Sequence, residues 1–268
     1  MNLSQYMVIG RYIPGNSYIH LLDARSKLIF VFLYIFLVFL TNSILGYLIL
    51  LSFIIIGILI SKIPISYYVK GIMPIFLIIL FTIILHLTTN KAGDLVFQWK
   101  WIEIYSQGIE QAVFITLRLL ILVIIASMLT LTTSPIDLTM GLERILNPLK
   151  RVNLPIHELA LMMSISLRFI PTLVDEADKI MKAQKARGAN FETGPIHKRV
   201  INMIAIIIPL FISAFKRADE LAIAMESRGY RGGEGRTRLR VSVFTWRDLL
   251  LLLIFSVLLI TILSIRGL

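Results

Sequence analysis

The sequence predicts an all-α membrane protein: a bundle of about five transmembrane helices with a cytoplasmic layer of amphipathic helices attached. Three observations predict it. Of the 268 residues 57% are hydrophobic, and the mean hydropathy is +0.83. A soluble domain of this size needs apolar residues only in its interior and carries fewer. The apolar residues fall in long uncharged runs, as membrane spans require. Finally, 18 of the 27 Lys and Arg residues fall within 134–247, between two such runs.

The net charge is +11 and there is no cysteine. Cysteine's absence excludes disulfides, thiolate metal sites and a cysteine nucleophile. The positive charge sits between apolar spans, where the positive-inside rule and anionic lipid account for it. Nucleic-acid binding is therefore not expected. Met1–Ser26 is polar and turn-rich, without the apolar stretch of a cleaved signal peptide.

Leu28–Ile60 carries no charge. One helix of that length would reach about 50 Å, well beyond a hydrocarbon core of about 30 Å. Thr41-Asn42-Ser43 divides it into spans over 27–40 and 44–61, and Pro64 ends the second. A third span covers 71–88, followed by a turn at Asn90–Asp94. A fourth covers 107–133 and a last one 248–265. Within 95–105, Phe97, Trp99 and Trp101 alternate with Gln98 and Lys100, which predicts a short hairpin at the outer membrane surface.

Arg11, Arg25 and Lys27 precede the first span, and Lys62 and Lys70 lie between the second and third. With five alternating spans, these and the basic 134–247 segment share one side. The positive-inside rule makes that side cytoplasmic, with the N-terminus. Three regions result: 1–133 with four spans, a cytoplasmic domain over 134–247, and a C-terminal span within 248–268.

Ser134 caps a helix with Pro135 at its first position, running to about Leu146. A second starts near Pro155, with Ile170, Leu173, Val174, Ala177, Ile180 and Met181 at helical spacing, and ends at Gly188. A third runs from about Ile196 to Arg228, before Gly229. Within it, Val200–Phe215 is uncharged but only about 24 Å long as a helix. It contains Asn202 and Pro209, so it is placed at the inner surface rather than across the membrane.

Ala177–Gly188 repeats, without a gap, as Ala218–Gly229. An aliphatic residue, Ala, a small residue, Arg and Gly recur in register. A single Arg-Gly end is a common helix terminus, because Gly takes the left-handed conformation and a cation suits the helix dipole. Two in register point to a duplicated contact surface made by Ala186, Arg187 and Gly188, and by Ser227, Arg228 and Gly229. Arg offers a planar fork to a carboxylate, and the small neighbour permits close approach.

Other chemistry fails on residue identity. Asp175-x-x-Asp178 opens a phosphotransferase metal motif, but Lys179 and Ala183 break it. His157-Glu158 opens a zinc-peptidase motif, but position 161 is Leu. Gly232–Thr237 lacks the Lys of a phosphate loop and reads as a basic linker. No catalytic residue or metal site is assigned, and the chain is not expected to be an enzyme. Arg118, inside the fourth span, is a structural or functional candidate by its position alone.

Taken together, several segments resemble those of a known family. They are Tyr12–Ser17 and Leu22–Leu28, Thr116–Leu120, Gly141-Leu142-Glu143, Leu167–Thr172 and both Arg-Gly ends. Over nearly its whole length the chain is similar to the transmembrane T component (EcfT family) of energy-coupling factor (ECF) ABC-type transporters. Asn16 stands where members often carry Asp. The resemblance implies a non-catalytic scaffold in the cell membrane. It joins two cytoplasmic ABC-type ATPases to a small membrane S component that captures a vitamin or other micronutrient. It also makes the two Arg-Gly ends coupling motifs. ATP and Mg would be bound by the ATPases, and no cofactor by this chain. A T component of a dedicated cobalt or nickel uptake system is the alternative within the class. A membrane enzyme or a channel without ATPase partners is the alternative outside it.

Overall fold

A computed structural model describes residues 12–99, 102–148, 155–191, 193, 195–232 and 244–266. Met1–Arg11, Lys100-Trp101 and most of the Gly232–Thr237 linker lie outside the described residues. The described chain is helical apart from one hairpin. Its helices are α1 (Ala24–Leu40), α2 (Ile44–Ser61), α3 (Ile65–Thr89), α4 (Ser106–Thr132), α5 (Pro135–Leu146), α6 (Ile156–Ala186), α7 (Ile196–Ser227) and α8 (Trp246–Arg266). All five predicted spans are helices, the third beginning earlier than expected, directly after Pro64. By length and composition, α2, α3, α4, α6, α7 and α8 are each able to cross a membrane. Thus α6 and α7, predicted as surface helices, also reach the length of a crossing. The reason is continuity: Val200–Phe215 lies inside a helix of 32 residues rather than standing alone.

Two compact units result, one over Arg11–Leu142 with Ser242–Leu268, the other over Glu143–Val241. In the first, α1, α2, α4 and α8 enclose a core of Phe30, Tyr34, Tyr47, Leu50, Ile121 and Phe255. The polar end of Tyr34 is satisfied by donation to Leu50 O at 2.7 Å. Around this core the outer faces are apolar, with Phe32, Phe36, Leu59, Leu77 and Phe81 exposed. That distribution, polar contacts inside and large apolar side chains outside, is stable against lipid and not against water.

β1 (Leu95–Trp99) and β2 (Ile102–Tyr105) form the predicted hairpin, antiparallel, with Phe97 opposite Ile104 and Gln98 opposite Glu103. Ser106 Oγ, at the start of α4, accepts from Asp94 N and ties the hairpin to the helix.

At the opposite end of this unit the N-terminal residues close a polar knot. Asp23 caps α1 by accepting from Arg25 N and also pairs with the Arg25 guanidinium at 2.8 Å. Asp248, in the first turn of α8, is wholly buried. Its carboxylate accepts from Asp23 N, Thr245 N and Thr245 Oγ1 at 2.8–3.0 Å. Lys27 is also buried and donates to Thr132 O at 3.0 Å and Thr133 Oγ1 at 3.1 Å. Three carboxylates, Asp137, Asp248 and Asp23, act on its charge. Gly141 of α5 lies so close to α1 that a Cβ would meet Ala24 at 3.1 Å.

In the second unit α6 and α7 pack on one another. Arg217 of α7 pairs with Glu176 of α6 at 2.5 Å, and Ser213 donates to the other carboxylate oxygen. Gln184 Nε2 donates to Ala205 O. In the turn between the helices Asn202 donates to Asn190 O at 2.7 Å, which gives a partner to the one amide in the uncharged stretch.

Candidate functional site

The site follows from how two helices end. At the end of α6, Arg187 leaves the helical conformation with φ −84° and ψ 6°, and Gly188 takes φ +90°. Gly188 N then donates to Lys185 O and Ala189 N to Gln184 O, both at 3.0 Å. At the end of α7, Arg228 has φ −88° and ψ 10°, and Gly229 has φ +72°. Gly229 N donates to Glu226 O at 2.9 Å and Tyr230 N to Met225 O at 3.0 Å. Both ends are complete Schellman motifs, and each bond of one has its counterpart in the other at the spacing of the sequence repeat. The sequence repeat is thus a repeat of backbone geometry.

Why glycine closes each end is settled by conformation, not crowding. A Cβ on Gly188 or Gly229 would meet nothing within 4 Å, but the positive φ disfavours any side chain. Gly188 lines a shallow cavity with Asn190, Thr193, Lys198, Ile201 and Asn202. Ala186, Arg187, Gly188, Ser227, Arg228 and Gly229 are all exposed. Ser227 turns its hydroxyl back to Ala224 O at 3.0 Å, so it presents a small face. Among the described residues neither Arg187 nor Arg228 has an ion-pair partner. Each is a planar, permanently charged donor on a rigid helix end, suited to a carboxylate on another molecule.

The two tips differ in what surrounds the shared core. Lys179 and Lys185 of α6 correspond to Glu220 and Glu226 of α7, so one tip is basic and the other carries acid beside its Arg.

Arg118 belongs elsewhere. From α4 its Nε and Nη2 donate to the buried Tyr47 hydroxyl of α2 at 3.1 and 2.8 Å, and its guanidinium lies 5.4 Å from the centre of the Phe39 ring of α1. Among the described residues it joins three helices through one phenol and one ring face. His157, at the start of α6, contacts Glu143 Oε1 through Nδ1 at 3.1 Å. That contact gives a structural task to the last residue of Gly141-Leu142-Glu143. Near the knot, His20 lies between Ser17 Oγ at 2.6 Å and Ile13 O at 3.0 Å, and burial lowers its pKa. Among the described residues no group of three or more His, Asp or Glu is placed to hold a metal ion.

Sequence reasoning anticipated that both helices end at Arg-Gly, and missed the charges that tie helices together within each unit: Lys27 and Asp248 in the first, and the pair Glu176–Arg217 in the second. Only Glu176 and Arg217 leave a signal in the sequence, since the shift that carries Arg187 onto Arg228 also carries position 176 onto 217.

A family model described as cobalt transport protein matches residues 15–239. The chain is 54% identical over 258 residues to an energy-coupling factor transporter transmembrane protein of Brevibacillus brevis, covering 96% of this chain and 97% of that one. It is 52% identical over 242 residues to the protein of the same name from Bacillus subtilis, covering 90% and 91%. For that of Exiguobacterium sibiricum the identity is 50% over 261 residues, covering 97% and 99%. The chain belongs to this family. It is a transmembrane T component of ECF transporters and a multi-pass membrane protein. The family model's match spans both Arg-Gly tips, Lys27 and Arg118, while Asp248 of the knot lies beyond it.

Proposed function

We propose that this T component couples ATP hydrolysis by two cytoplasmic ABC-type ATPases to uptake of a vitamin or other micronutrient through a small S component. One observation carries the reading: two helix ends of the same geometry and the same repeated sequence each present an exposed Arg without a partner among the described residues. Two equal tips suit two related subunits. Their opposite flanking charges, Lys185 against Glu226, suit two that differ.

In this reading residues 134–247 form the coupling domain on the cytoplasmic side, with the N-terminus, and the 95–105 hairpin faces outward. The positive-inside rule supports that orientation. ATP and Mg are bound by the ATPases, and this chain is non-catalytic. The S component, a hydrophobic subunit, covers apolar surface that the chain leaves open. On α7 alone, Ile201, Ile204, Ile208, Phe211, Ile212 and Phe215 are exposed.

Purification from a membrane extract through a tag on this chain tests the composition. Two ATPase chains and one small hydrophobic subunit should come with it. Recovery of the chain without ATPases, from a membrane in which they are expressed, would defeat the reading. The family model's own description favours a second reading, uptake of cobalt. The ligand retained by the co-purified S component separates a metal ion from an organic micronutrient.

A further inference from the structure

The sequence repeat extends beyond the tips to the place where α6 and α7 cross. If two copies of a motif are exchanged by a two-fold rotation, a residue on the axis touches its own counterpart. Glu176 and Arg217 are counterparts at the repeat offset, and they touch at 2.5 Å. Contacts off the axis should come in exchanged pairs. Gln184 reaches Ala205, whose counterparts are Met225 and Ser164. On the far side of the crossing, Met225 lines a groove with Ile165 and Ser166, next to Ser164 in sequence, so the exchanged contact is matched in region rather than residue for residue.

We infer that the Glu176–Arg217 pair lies on a local two-fold axis relating α6 to α7 and is the positioning pivot that sets the angle between the two Arg-Gly tips. Each tip follows the pivot by the same interval, Glu176 to Arg187 and Arg217 to Arg228. Along a helix that is about 16 Å. A small rotation at the pivot therefore moves both tips by equal amounts. Two features suit a joint. The Arg217 and Glu176 side chains are 35% and 23% exposed, and the buried Glu176 Oε2 is held by the Arg217 charge rather than by a well-aligned hydrogen bond, so the contact has no single fixed direction. Beside it lies a groove of about 420 Å³ with small residues, Ser166, Ala214, Ala218 and Ala222, on its walls. Phe169, Leu173 and Leu221 line it too, so closing the helices into that space turns on repacking these side chains.

The axis makes a charge reversal informative. Ser213 donates to the Glu176 carboxylate, and its counterpart in α6 is Thr172, also a hydroxyl. A carboxylate moved to position 217 finds Thr172 where the native one finds Ser213, once the Thr172 hydroxyl turns from Phe169 O, to which it donates at 2.7 Å. Exchanging Glu176 and Arg217 should therefore rebuild the same joint. At an ordinary asymmetric ion pair a swap has no such guarantee.

The role in coupling rests on the function proposed above, but the geometry can be measured without it. The chain has no cysteine, so spin labels go only where cysteines are placed. Lys182→Cys with Ile223→Cys labels equivalent exposed sites one turn or more before the tips. In the full chain in lipid nanodiscs, the distance distribution between labels should be narrow. Glu176→Gln or Arg217→Gln should broaden it roughly two-fold, and the double variant Glu176→Arg with Arg217→Glu should restore the native width, the non-additivity expected of one coupled pair. An unchanged width in both single variants would overturn the pivot. So would a swap that stays folded, by its melting temperature, yet stays broad. Retention of ATPases by the same variants is scored separately. Its loss in the wild-type chain defeats the function proposed above and leaves the distance result standing.

Discussion

The polar knot around Lys27 and the tips at Arg187 and Arg228 use charge in opposite ways. Lys27 and Asp248 are 5% and 0% exposed, and their polar atoms have partners within this chain. Arg187 and Arg228 are exposed, with no ion-pair partner among the described residues. A buried charge is tolerated only when paired, so the knot is complete without other proteins. An exposed arginine on a rigid helix end contributes to the fold only through the helix dipole, about 0.3–1 kcal/mol. The difference teaches that charge in the knot is satisfied within this chain, whereas charge at the tips is left available, as the proposed docking of partner subunits requires.

Substitution at the knot should break the comparison on the folding side. Lys27→Ala removes the cation facing Asp23, Asp137 and Asp248 and leaves Thr132 O without its donor. Uncompensated buried charge of this kind costs about 3–5 kcal/mol. Asp248→Ala unties α8 from α1 and strands Asp23 N. Both variants should lose yield and melt far below the wild type in detergent, before any partner is added. A melting temperature within a few degrees of the native one, by the chain alone, would mean the knot is incidental.

At the tips the reverse holds. Arg187→Glu with Arg228→Glu should leave the melting temperature of the isolated chain nearly unchanged. If each fork meets a buried carboxylate, truncating it costs about 2–5 kcal/mol of binding, and reversal adds repulsion. Arg→Lys keeps the charge but not the fork and should fall between wild type and Ala. ATPase retention in a pull-down, with uptake into vesicles, reads the effect. Full retention and native uptake in the double Arg→Glu variant would make the tips plain helix caps.

How legible these two regions were in the sequence differs for a physical reason. The tips were legible because a helix end needs particular local residues, here a small residue, Arg and Gly, and because the unit is duplicated. The spans were legible because lipid demands a long uncharged run. The knot was not legible: Asp23 and Asp248 are 225 residues apart. A single carboxylate at the start of an apolar helix reads like an ordinary first-turn residue. Arg118 was visible as an anomaly, but its partner Tyr47 was hidden among apolar residues, since one phenol in a span changes no period.

A smaller effect sharpens the comparison within the tips. Gly188→Ala and Gly229→Ala meet no neighbour within 4 Å, so their cost is conformational alone, about 1 kcal/mol for a residue held at positive φ. Asn tolerates that conformation better and should cost less. Helix protection by hydrogen exchange at Ala183–Lys185 and at Ala224–Glu226 measures it. Similar losses at the two ends are expected, because both caps make the same two Schellman bonds; clearly unequal losses would show that something besides those bonds holds one of them.

The smallest expected effect is one of pH, and it belongs to the knot. His20 is held between Ser17 Oγ and Ile13 O, and its carbonyl accepts from Lys27 Nζ at 3.4 Å. Burial is the largest influence and lowers its pKa; the Ile13 carbonyl pulls the other way, and the nearby Lys27 charge lowers it further. A lowered value means the folded chain favours neutral imidazole more than the unfolded chain does. The contribution to stability is therefore full above the ordinary histidine value of about 6.5 and fades as pH falls through the lower folded value. Neutral His20 can donate from Nε2 to Ile13 O while accepting from Ser17 at Nδ1. Protonation turns Nδ1 into a donor and places a cation beside Lys27. The melting temperature should then fall on acidification below about pH 6.5, and His20→Gln, which keeps a donor and an acceptor but does not titrate, should flatten that part of the profile. The slope at the tips should not change, since arginine does not titrate there. An acid slope that survives in His20→Gln would assign the effect to the carboxylates of the knot instead.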